Sequence, residues 1–84
     1  MSKKTVDEKN SDKVIGSAIR LARKTKRLSQ GNLGKILGVT YQQIQKYEKG
    51  KNCISALKLY RISRELGFPL EFFFELEAHY ANKY

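Results

Sequence analysis

In 84 residues the chain has no tryptophan and only one cysteine, one histidine, one proline and one methionine. A single thiol, Cys53, closes no internal disulfide, which excludes a stapled scaffold and suits a reducing compartment. One histidine, His79, beside Glu77, Ala78 and Tyr80, makes no cluster with metal-ligand spacing, so no metal or other cofactor is expected. No apolar run approaches the ~20 residues of a membrane span, so no membrane partner is expected. The N-terminal MSKKTVDEKNSDK lacks the apolar centre of a signal peptide, and the expected location is the cytoplasm. No Ser/His/Asp set or carboxylate pair is visible, and the glycines form no phosphate loop, so an enzyme is not expected.

Acidic residues are also scarce, and unevenly so. Residues 1–12 are net neutral, with three lysines and three acids. Residues 13–64 carry thirteen Lys/Arg against Glu48 alone, net +12. Residues 65–84 carry Lys83 against Glu65, Glu71, Glu75 and Glu77, net −3, so that the whole chain is +9. A basic body of this kind fits a polyanion partner, because counterion release supplies affinity that is independent of sequence. The length allows one domain with a modest core, so the fold is simple or the protein associates.

Residues 28–50, LSQGNLGKILGVTYQQIQKYEKG, read as two short helices joined by a tight turn. Ser29 can accept an orphan backbone N–H as the cap of the first, with Gln30 its first residue. Leu33, Ile36 and Leu37 follow at helical spacing, and Gly38 stops the helix. Val39 plugs the turn. Thr40 caps the second helix, over about Thr40 or Tyr41 to Lys49, and Gln43 three residues on completes a capping box. Ile44 and Tyr47 face inward, with Glu48 near that side; Gln42, Gln45, Lys46 and Lys49 share the opposite face. Gly50 ends it.

An apolar inner stripe under a glutamine and lysine outer face suits the DNA major groove. Gln pairs bidentately with adenine, and Lys reaches guanine or phosphate. Ser29-Gln30, Leu33-Gly34, Leu37-Gly38-Val39, Ile44 and Glu48-x-Gly50-Lys51 together resemble the helix-turn-helix of the phage-repressor/Cro (XRE-like) family, from about Ile15 to Phe73. The resemblance implies an all-α compact bundle of four to five short helices, a double-stranded DNA partner, and a structural ion pair between Arg23 and Glu48. It also gives Gln30 a phosphate contact and a bracing role, and asks for a very small residue at Gly34, where the family mostly has Ala. Cys53 departs from the family, which often has a basic residue there; a small buried or half-buried loop residue is the expected role.

Base contacts are expected from the start of the second helix: Tyr41, Gln42 and Gln43, with Lys46 one turn on. Phosphate contacts are expected from Gln30, Asn32, Lys35, Lys49, Lys51 and Asn52. Before this unit, residues 1–11 are expected to be a disordered basic and polar arm carrying Lys3 and Lys4, and a helix over about Asp12–Lys26 buries Ile15, Ala18, Ile19 and Ala22. The DNA-binding domain spans 12–76 and a tail spans 77–84. After the unit, a helix capped by Ser55 runs to about Leu66 and ends at Gly67, burying Leu57, Ile62 and Leu66, with Leu59 or Tyr60 at the edge of the stripe. Its Lys58, Arg61 and Arg64 face out. Pro69 starts a fifth helix that buries Leu70, Phe73 and Phe74 or Leu76. One α-helical face cannot bury Phe72, Phe73 and Phe74 together. Exposed aromatics there, with Tyr80 and Tyr84, predict a homodimer interface at Phe72, Phe74 and Tyr80, or a protein partner. The combined expectation is a dimeric repressor reading specific DNA; the alternative is an antitoxin-type module that binds a protein and autoregulates.

Overall fold

The computed structural model describes residues 10–75. Leu76, the tail 77–84 with Tyr80, and the arm apart from Asn10 and Ser11 lie outside the described residues. Four α-helices follow in order: α1 Ser11–Thr25, α2 Gln30–Leu37, α3 Tyr41–Glu48 and α4 Ala56–Leu66. A 3₁₀ helix, Leu70–Phe74, closes the bundle. The architecture is all-α, with a core of Ala18, Ile19, Ala22, Leu33, Leu37, Ile44, Tyr47, Leu59, Ile62, Leu66 and Phe73.

Local chemistry sets the boundaries. Ser29 Oγ accepts from the Asn32 N–H at 2.9 Å, and Asn32 Oδ1 accepts from the Ser29 N–H at 3.1 Å. This reciprocal box fixes the start of α2. Thr40 Oγ1 accepts from the Gln43 N–H at 3.1 Å, but the return bond from the Gln43 side chain is absent, so the box expected here is half formed. Ser55 Oγ accepts from the Lys58 N–H and starts α4. Between α2 and α3 the chain turns through Gly38 at φ 75°, a left-handed conformation that glycine adopts without steric cost. Gly34 lets this turn fold back: a Cβ there would lie 2.6 Å from the Val39 carbonyl oxygen. The glycine therefore accommodates the turn as well as the approach of α3.

The end of α1 uses no glycine. Arg27 N–H donates to Lys24 O at 3.0 Å and Leu28 N–H to Arg23 O at 3.0 Å, a Schellman closure. The left-handed residue in it is Arg27, at φ 59°. Such a conformation costs an L-residue roughly 1–2 kcal/mol.

Several core expectations are corrected. Leu57 is 70% exposed, because Leu59, Ile62, Ser63 and Leu66 form the inner stripe of α4 and Leu57 lies outside it. Leu70 is exposed rather than buried. Val14 and Gly16 are buried in α1, while Ile15 is half-buried beside the core. Phe72, Phe73 and Phe74 are none of them exposed. The five-residue 3₁₀ turn buries Phe73 completely and packs Phe72 and Phe74 against the same core. Phe72 lies edge-on to Phe73, with ring centroids 5.3 Å apart, and tilted against Phe68 at 4.8 Å. Arg61 and Arg64 are exposed, as expected, whereas Lys58 is half-buried; Arg61 also donates from Nη2 to the Ile36 carbonyl at 2.9 Å. It satisfies an orphan acceptor in the last turn of α2 and ties α4 to that helix.

The position of α3 is fixed mainly against α1. Gly16 sits under the C-terminal end of α3, where a Cβ would collide with the Tyr47 carbonyl oxygen and lie 2.9 Å from that of Glu48. Just beyond α3, Gly50 at φ 74° passes over the first turn of α1; a Cβ there would come within 2.9 Å of the Lys13 Cα.

Candidate nucleic-acid interface

Helix α3 divides cleanly. Ile44, Tyr47 and Glu48 are buried, whereas Tyr41, Gln42, Gln45, Lys46 and Lys49 are exposed and Gln43 is half-buried. Thus Tyr41, Gln42 and Lys46 are free to reach a groove. Gln43 is less so, since it lies against the turn its own N–H closes. Tyr41 is 53% exposed at the first position of the helix, ahead of the apolar stripe.

Arg23 and Glu48 meet across the α1–α3 seam. Arg23 Nε donates to Glu48 Oε2 at 2.7 Å and Nη2 to Oε1 at 3.0 Å, a bidentate pair with side chains only 10% and 3% exposed. The third guanidinium nitrogen, Nη1, donates to the Leu28 carbonyl at 2.8 Å. Gln30 Nε2 donates to Glu48 Oε1 at 3.1 Å. The network therefore joins α1, the α1–α2 turn, the first residue of α2 and the last residue of α3. Fork-to-carboxylate geometry gives both strength and a fixed angle.

This network also shapes the field. Glu48 is the one acid among residues 13–64, and it is turned inward and neutralised by Arg23. Its charge does not offset Lys46, Lys49 and Lys51, all exposed on or just after α3. Asn52 is exposed in the same loop, and Lys35 is exposed on α2. Asn32 is exposed, but its Oδ1 closes the α2 cap, leaving the amide N–H groups for other partners. Gln30 is half-buried with one amide proton on Glu48, so a phosphate would use the other. Cys53 is exposed in the loop before α4, not buried, with a weak 3.9 Å contact to the Ile54 carbonyl.

Of the expected dimer residues, Phe72 and Phe74 are half-buried against their own core, and Tyr80 lies outside the described residues. Among the described residues, Phe72 and Phe74 thus form no exposed aromatic cluster. Sequence reasoning missed Gly16 and the part played by the Leu28 carbonyl. A glycine inside an otherwise regular amphipathic helix was the available signal for the first. No helix of the described residues is long and apolar enough to cross a membrane.

Comparison with known proteins agrees with this fold. A family model described as helix-turn-helix matches residues 19–73. An uncharacterized HTH-type transcriptional regulator of Sinorhizobium medicae is 54% identical over 61 residues, covering 73% of this chain and 44% of that protein. The chain thus spans less than half the length of that curated relative. Among solved structures, the restriction-modification controller protein C.AhdI from Aeromonas hydrophila superposes with TM-score 0.68 at 22% identity, over 75% of this chain and 96% of that one. The P22 c2 repressor, solved in complex with a synthetic operator, superposes with TM-score 0.64 at 27% identity, over 70% of this chain and 89% of that one.

Proposed function

We propose, from the premise that this chain belongs to the helix-turn-helix family of transcriptional regulators, that it binds specific double-stranded DNA with α3 in the major groove. The observation that carries the reading is the outward face of α3. Gln42 and Lys46 are exposed one turn apart on a helix whose inner side is locked to α1 by Gly16 and the Arg23–Glu48 pair. A helix held this firmly presents its donors at a fixed angle, and fixed angle is what bidentate base reading requires.

In this reading Gln42 and Lys46 contact base edges, and Tyr41 and Gln43 touch a thymine methyl or the flanking backbone. Lys49, Lys51 and Asn52 engage phosphates beyond the end of α3. Gln30, Asn32 and Lys35 engage those beside α2. The phosphate contacts set position and the base contacts set sequence. Residues 12–76 act as the DNA-binding unit.

Two copies are needed for a useful site. The eight residues of α3 extend roughly 12 Å and so face only about four base pairs. A homodimer doubles that reach, with recognition helices about 34 Å apart on half-sites one turn apart. Occupancy of a promoter by such a dimer represses transcription in the cytoplasm. Selection of binders from a random duplex pool by the whole chain tests all of this together. The expected result is a short motif repeated with two-fold symmetry. A pool that stays random after competition would overturn the reading, and an unrepeated motif would overturn the dimer.

A further inference from the structure

We propose that Arg27 is a DNA-backbone contact, placed by the turn between α1 and α2; this rests on the DNA-binding reading above. Four described residues have positive φ, and three of them are glycines that close helices: Gly38, Gly50 and Gly67, at 74–75°. Arg27 occupies the corresponding position after α1 at 59°. Glycine would serve this turn without steric penalty, whereas arginine is strained in it. Strain that the fold does not need points to function.

Two of the neighbouring cations are already engaged. Arg23 turns inward to Glu48 and Leu28. Lys26 Nζ lies over the Phe68 ring, 5.8 Å from its centroid, on the side of the 3₁₀ turn. Arg27 is exposed. Its place is not arbitrary, because the next residue, Leu28, is fastened through Arg23 to Glu48, the last residue of α3. Arg27 and Lys49 thus each adjoin a member of one rigid network in sequence. A guanidinium held at that position suits a phosphate of the duplex bound by α3, which it can grip through two parallel N–H groups.

The test uses the whole chain and a mixed-sequence duplex of about 30 base pairs, with affinity measured across a potassium chloride series. One phosphate contact contributes about 0.9 to the slope of log affinity against log salt. Arg27→Gly is expected to flatten the slope by about that much and to weaken binding several-fold at moderate salt, while melting at or above the wild-type temperature. Arg27→Lys should keep the slope. Arg64→Gln, which removes an exposed charge from α4, should leave it unchanged. An unchanged slope in Arg27→Gly, or an equal loss in Arg64→Gln, would overturn the assignment while the DNA-binding reading stands. A lower melting temperature for Arg27→Gly would show that arginine serves the turn itself, and would also overturn it. Failure of the wild-type chain to bind any duplex at low salt removes both readings at once.

Discussion

Arg23 and Glu48, 25 residues apart in sequence, face each other through two parallel hydrogen bonds at the seam between α1 and α3. Both are nearly removed from solvent, so each depends on the other for its charge to be tolerated. Glu48→Ala is expected to destabilise the fold by roughly 3–5 kcal/mol, because it strands a buried guanidinium. The double variant Arg23→Met with Glu48→Leu should recover much of that loss. Urea unfolding of the three proteins checks this; equal stability of Glu48→Ala and wild type would mean the pair is not buried in solution.

Gly16 and Gly31 should respond in opposite directions to the same substitution. A Cβ on Gly16 collides with backbone at the end of α3, whereas one on Gly31 meets only Ser29 Oγ at 3.7 Å. Gly16→Ala should destabilise by about 1–3 kcal/mol or more, since backbone cannot move aside cheaply. Gly31→Ala should stabilise by about 0.5–1 kcal/mol through helix propensity alone. Thermal melts in parallel decide it.

Leu57 and Phe73 separate surface from core. Phe73→Ala should lose about 3–5 kcal/mol, and Leu57→Ala should stay within about 0.5 kcal/mol of wild type. A large loss for Leu57→Ala would mean that something covers α4 in solution, and sedimentation of the same sample would show whether it is a second copy.

Gln42→Ala and Lys51→Ala should weaken DNA binding in different ways. The first should relax preference at one base position, by about 1–3 kcal/mol, and leave competitor binding alone. The second should weaken every duplex alike and reduce the salt slope by about one. Competition against single-base variants of the selected motif distinguishes them. A uniform loss in both would reassign Gln42 to the backbone.

The helix-turn-helix was legible because its signals are local. Ser29, Gly38, Thr40 and Gly50 mark ends by capping and left-handed geometry, and these rules act within a few residues. The Arg23–Glu48 pair came from family resemblance, with an arginine near an apolar stripe as its only intrinsic hint. Gly16 shows in the sequence only as a glycine inside an amphipathic helix, with nothing to say what packs on it. Its partners are carbonyl groups of α3, and a backbone atom leaves no mark in a sequence. Arg27 closes a turn where glycine is the ordinary signal, so the rule was silent. An α-helical period leaves at least one of the three phenylalanines exposed, but a 3₁₀ turn spaces its residues differently and two of them flank the one it buries. In α4 the stripe was drawn through Leu57, about 200° around the helix from Leu59, which occupies it.

Gly16, Arg23 and Gly50 fasten α3 to α1 at three points along one seam. The two helices therefore behave as one block, and nothing between them can serve as a hinge. On the proposed DNA-binding reading, whatever turns α3 against its duplex has to turn α1 with it.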